Sequence, residues 1–121
     1  MSKSKILVID DDEEQLMILN LYLKKHKYNV ETASNGALGI DTFSKKQNEI
    51  GLIITDFHME KMTGEEVINA IHKIDPNIPI LLLTGDKKVN LEDKNNLRQI
   101  VNKPLNFFTF KKIVNHYFEG N

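Results

Sequence analysis

Short apolar runs, each closed by acids or by a hydroxyl, punctuate this chain at strand length and alternate with longer stretches of helical periodicity. Ile6-Leu7-Val8-Ile9 leads into Asp10-Asp11-Asp12, and Leu52-Ile53-Ile54-Thr55 ends at Asp56. Such alternation is the pattern of repeated βα units around a parallel sheet. In an open sheet of that kind ligands sit beyond the carboxyl ends of the strands, so acids placed there converge on one crevice. Converging carboxylates raise one another's pKa, and a bound cation relieves the repulsion. With no cysteine in the chain and no paired histidine nearby, the hard oxygens suit Mg²⁺ better than a softer metal. The implied site is one for metal-assisted handling of a phosphoryl group.

Five βα units are read along the chain. Strand one covers about Lys5 to Ile9, and its helix carries Leu16, Leu19 and Leu23 toward the basic cluster Lys24-Lys25-His26-Lys27, which complements a helix carboxyl end. Asp12-Glu13-Glu14 reads as an N-cap with first-turn acids. Tyr28 to Ala33 alternates like an edge strand, and Ser34-Asn35-Gly36 starts a helix through Ala37, Ile40 and Phe43. Gly51 to Thr55 is a central strand, followed by a helix over Gly64 to Ile74 with Val67, Ile68 and Ile71 inward, closed by Asp75-Pro76-Asn77. Ile78 to Leu83 is the fourth strand. Asp86 to Gln99 is a helix poor in apolar residues, Ile100-Val101-Asn102 a short fifth strand, and Phe107, Phe110, Ile113, Val114 and Tyr117 mark a last amphipathic helix whose aromatic stripe is core. His26, His72 and His116 are read as surface residues.

A length of 121 residues predicts a single domain spanning 1–121. The net charge of −1, from 16 basic and 17 acidic residues spread along the chain, offers no basic face and argues against direct nucleic acid binding. No apolar run approaches the roughly 20 residues of a membrane span and the amino end leads straight into a strand, so a cytoplasmic protein is expected.

With Asp10-Asp11, Asp56, Thr84 and Lys103-Pro104 following strands one, three, four and five, the chain resembles the receiver domains of bacterial two-component response regulators, and is similar to the single-domain chemotaxis type. The resemblance implies an α/β fold, doubly wound and flavodoxin-like, (βα)5, with a five-stranded parallel sheet in the order 2-1-3-4-5. It also implies phosphoryl transfer from a histidine kinase or histidine phosphotransfer protein onto Asp56, with Thr84 and Lys103 contacting the phosphoryl group. Mg²⁺ would be held by Asp10, Asp11, Asp56 and the backbone carbonyl of His58. His58 and Asp86 would tune the lifetime of the aspartyl phosphate, and Lys103-Pro104 would be a cis peptide. Such a domain is not an enzyme in the ordinary sense, although it catalyses its own phosphorylation and dephosphorylation. It switches conformation to signal to a downstream protein, here with the change expected between Asp86 and Ile100.

Several positions depart from that pattern. Glu60 stands where the family usually has proline, which restores a backbone donor, and Thr63 replaces an acid. Ile100, at the switch position paired with Thr84, replaces an aromatic residue, and the segment between Thr84 and Lys103 is short. Three rival readings follow from the residues. A phosphatase or phosphotransferase of the haloacid-dehalogenase type would use Asp10 as nucleophile, a flavodoxin-like protein would bind a cofactor, and a receiver without phosphorylation would serve as a docking module. The chain acts alone or belongs to a longer regulator.

Overall fold

A computed structural model describes residues 3–89 and 97–117, with the backbone alone at 97 and 98. The strands are β1 (Lys5–Ile9), β2 (Asn29–Ala33), β3 (Ile50–Asp56), β4 (Ile80–Thr84) and β5 (Leu97–Asn102). They form one sheet, every pairing parallel, in the order β2-β1-β3-β4-β5. The helices are α1 (Glu13–Lys25), α2 (Gly36–Lys45), α3 (Gly64–Ile74) and α4 (Phe107–Tyr117). β2 lies at an edge, as its alternating sequence predicts.

Side chains alternate across a strand, and here the alternation divides the core in two. Leu7, Ile9, Ile53, Ile80 and Leu82 join Phe43 of α2 and Val67, Ile68 and Ile71 of α3 on one face. Ile6, Val8, Leu52, Ile54, Leu81 and Leu83 join Leu19 and Leu23 of α1 and Phe110 and Val114 of α4 on the other. Burying each such side chain contributes about 1.5–3 kcal/mol, which makes the central strands the rigid part of the molecule.

Local signals set the helix ends. Asp12 caps α1 by accepting from the N–H groups of Glu14 and Gln15, and Asn35 caps α2 by accepting from Leu38 N–H. α1 stops where Lys27 turns left-handed, at φ 72°. On α2, Ala37 is exposed. Gly36 and Gly39 are buried, because the helix lies so close to β1 that a Cβ on Gly39 would overlap Ile9.

Two expectations are corrected. Of the three histidines read as surface residues, His26 and His72 are half-buried and His116 is exposed; the His26 and Tyr22 rings meet edge-on at 4.6 Å. Half of the helix expected over 86–99, and with it the middle of the 86–100 segment expected to change conformation, lies at 90–96, outside the described residues. At its ends the chain is a turn around 87–88 and already strand from 97, so β5 is longer than the three residues read from sequence. Among the described residues no helix is long and apolar enough to cross a membrane.

Candidate functional site

Because all five strands run parallel, Asp10, Asp56, Thr84 and Lys103 emerge at one edge of the sheet. Asp56, the last residue of β3, is 5% exposed and forms an ion pair through Oδ1 with Lys103 Nζ. Lys103 is itself fixed by its backbone N–H, which donates to the carbonyl of Thr84 at 2.8 Å, and its bond to Pro104 is cis. Thr84 is 1% exposed, and its hydroxyl oxygen accepts from Asp86 N–H at 3.0 Å.

Asp10 is 1% exposed. Its Oδ1 accepts from Asp12 N–H at 3.0 Å, whereas Oδ2 is enclosed without a hydrogen bond. Burial pushes its pKa up to about 6; the neighbouring Asp56 charge adds to the rise, and the Asp12 N–H and Lys103 oppose it. Asp11 is half-exposed and turns toward the loop after β3, where Oδ2 accepts from Glu60 N–H at 2.8 Å. Asp12 is the α1 cap and stands outside the cluster.

Gly64 opens α3 directly against the end of β3. A Cβ there would lie 2.6 Å from the Asp56 carbonyl oxygen and 2.8 Å from Phe57 Cα, so only glycine allows this approach. The approach is sealed by Gly64 N–H donating to the Phe57 carbonyl at 2.8 Å, and Phe57 N–H donates to Leu83 O at 2.9 Å. Thr63 caps α3 in a reciprocal box with Glu66. The Thr-x-x-Glu spacing is a legible capping signal that the sequence reading left unused. No sequence signal other than the absence of proline pointed to the Glu60 amide.

The remaining sequence-derived positions are peripheral to this cluster. His58 is exposed, its ring edge-on to Phe57 at 4.8 Å. Asp86 is exposed and accepts from Lys88 N–H at 2.8 Å. Ile100 is half-buried and packs on the α2/α3 side of the core. Gly85 leaves the mouth open, with Lys103 Cβ the nearest atom to a would-be side chain at 3.9 Å.

The donor chemistry fits a hard divalent ion. All the carboxylate oxygens are hard, and Asp10 Oδ2 is an enclosed acceptor with no donor to meet it. A ready-made shell is not assembled, however, since the described residues contain no group of three or more acidic or imidazole side chains gathered closely enough to hold a metal. Asp10, Asp11 and Asp56 are each engaged with an internal partner instead.

Residues 6–115 match the model of the response regulator receiver domain. The chain is 40% identical over 86 residues to a 3',5'-cyclic-nucleotide phosphodiesterase, regA, of Dictyostelium discoideum, an alignment covering 69% of this chain and 11% of that protein. It thus corresponds to a small part of that relative. A response regulator receiver domain protein from Clostridium thermocellum superposes with a TM-score of 0.89 at 29% identity, over 96% of this chain and 94% of the other. The response regulator TrrA from Thermotoga maritima, solved in complex with Mg²⁺-BeF, gives 0.85 at 28% identity over 94% and 98%. Strand order, the carboxylate edge and a family match over nearly the whole length agree, and the chain belongs to the response regulator receiver domain family.

Proposed function

We propose that this protein accepts a phosphoryl group on Asp56 from a histidine kinase or histidine phosphotransfer protein, in a Mg²⁺-dependent reaction, and signals to a downstream protein partner. The family is a signalling module of two-component systems, not an enzyme family, and the proposal gives this member its chemistry. The observation that carries it is the Asp56–Lys103 ion pair, held almost dry at the strand edge beside a second buried acid.

An Asp56 carboxylate oxygen forms the new bond to phosphorus as the bond from phosphorus to the donor imidazole nitrogen breaks, the electron pair of that bond remaining on the ring. Lys103 pairs with the carboxylate beforehand and with a phosphoryl oxygen afterwards. Thr84 can donate its hydroxyl hydrogen to the same group, because Asp86 N–H already occupies the oxygen as a donor and leaves that hydrogen available. Asp10, Asp11, Asp56 and the His58 carbonyl would hold Mg²⁺, whose chemistry there is to offset the negative charge of the incoming phosphoryl oxygens. The Mg²⁺-BeF complex of the TrrA relative supports this cofactor. Exposed His58 and Asp86 lie on the solvent side and would set how fast water reaches the acyl phosphate, so alanine at either should change its decay rate. Thr84 and Ile100 form the switch pair. A cytoplasmic setting belongs to the same reading, and direct nucleic acid binding by this domain does not.

Mass spectrometry after treatment with acetyl phosphate tests the proposal. One added phosphoryl group is expected in the wild type with Mg²⁺, and none without the ion or in Asp56→Asn. Phosphate retained on Asp10 in Asp56→Asn would return the haloacid-dehalogenase reading. No incorporation under any condition would leave the docking module.

A further inference from the structure

The contact between Asp11 and Glu60 joins two loops that are far apart in sequence, and the role proposed above does not use it. Asp11 Oδ2 accepts from the Glu60 backbone N–H at 2.8 Å, across 49 positions. A hydrogen bond to an ionised acceptor is about twice as strong as one between neutral groups. This one fixes the half-exposed carboxylate to the loop after β3. It exists only because residue 60 carries an N–H, which proline would lack.

Its neighbours are held in the same manner. Asp10 Oδ1 is satisfied by Asp12 N–H, and Asp56 by Lys103. The three carboxylates that would serve one cation are distributed over three internal partners, and no three-ligand group stands ready among the described residues. Of those partners, Lys103 carries a charge, and the Asp12 amide belongs to the start of α1, which a well-formed cap immobilises. Glu60 differs, lying exposed in the irregular stretch between β3 and the Thr63 cap. It is therefore the partner that can yield without disturbing an element.

We propose that the Glu60 backbone amide is a latch on Asp11, competing with the divalent ion for that carboxylate, so that residue 60 sets the affinity of the site and ion binding releases the loop between Phe57 and Thr63. Glu60 acts through Asp11 and is a positioning residue. The inference rests on the Mg²⁺ site described under Proposed function.

The latch predicts opposite behaviour for two substitutions at one position. Glu60→Pro removes the donor, and Mg²⁺ measured by isothermal titration calorimetry should bind about 10- to 150-fold more tightly, the net worth of one hydrogen bond to a charged group. Glu60→Gln keeps the donor and removes the charge, and should bind no more tightly than the wild type. Amide exchange measured by NMR on the wild-type protein provides a second readout that needs no variant. The Glu60 N–H should be protected in chelator-treated protein and lose that protection on saturation with Mg²⁺. A proline variant that binds no more tightly than the glutamine variant, or a Glu60 amide equally protected with and without Mg²⁺, would overturn the latch while leaving the Mg²⁺ site intact. Failure of the wild type to bind Mg²⁺ at all would overturn both.

Discussion

Two glycines border the site, and the structure assigns them opposite responses to the same added methyl group. At Gly64 the new Cβ would sit 2.6 Å from the Asp56 carbonyl oxygen, 2.8 Å from Phe57 Cα and 2.8 Å from Leu82 Cδ1. Two of these atoms are backbone at the end of a central strand and cannot rotate away, which places the clash near the upper end of overpacking costs, about 3 kcal/mol. Pushing α3 back also strains the Thr63–Glu66 capping box and the Gly64 N–H bond to Phe57, worth about 1 kcal/mol together. The helix propensity of alanine returns about 0.5–1 kcal/mol. Gly64→Ala is therefore expected to lose about 3 kcal/mol. At Gly85 the nearest atom is Lys103 Cβ at 3.9 Å, an ordinary contact, and no described glycine has a positive φ. Gly85→Ala should then be neutral, or stabilising by about 0.5 kcal/mol through the reduced freedom of the unfolded chain. Urea denaturation of the two variants beside the wild type measures both values. A Gly64→Ala loss below 1 kcal/mol, or equal losses at the two sites, would refute the argument from close approach.

Asp10 predicts a pH effect of definite sign. Its folded-state pKa is raised from 3.8 to about 6, so between those values the folded protein holds a proton that the unfolded chain has released. The contribution of Asp10 to stability is thus full below about pH 4, falls as pH rises to about 6, and is flat above, by an amount on the order of 2–3 kcal/mol. In metal-free buffer Asp10→Asn should match the wild type at pH 4 and melt at a higher temperature at pH 7; an advantage independent of pH would contradict the burial argument. Thr63→Ala removes one half of the α3 capping box and should cost about 1 kcal/mol in denaturant titrations, with Thr63→Ser recovering most of it. An alanine variant as stable as the serine one would show that the box contributes nothing.

Most of the architecture was legible because the central strands β1, β3 and β4 are apolar runs buried on both faces, a pattern that no amphipathic surface element shares. Asp10, Asp56, Thr84 and Lys103 were legible for a related reason, since parallel strands deliver their carboxyl ends to one edge whatever their sequence separation. The glycine face of α2 was not legible because helical periodicity treats glycine as neutral, whereas α2 packs so tightly on β1 that glycine is what fits inside. The half-buried state of His26 and His72 was hidden because imidazole suits a core margin as well as a surface. The Asp11–Glu60 contact depends on a main-chain N–H, and main-chain donors leave no trace in side-chain patterns except where proline removes them.

The position of the amino-terminal strand has a consequence for biosynthesis. β1 lies between β2 and β3, with Ile6 beside Val30 on one side and Leu52 on the other. During synthesis β1 therefore leaves the ribosome before both of its partners and waits, unpaired on one flank, until the third strand follows. Parallel pairing offers no hairpin to shorten that delay. The interval exposes four consecutive aliphatic residues, Ile6 through Ile9, and makes this segment a place where a chaperone, or an aggregating neighbour, would find the nascent domain.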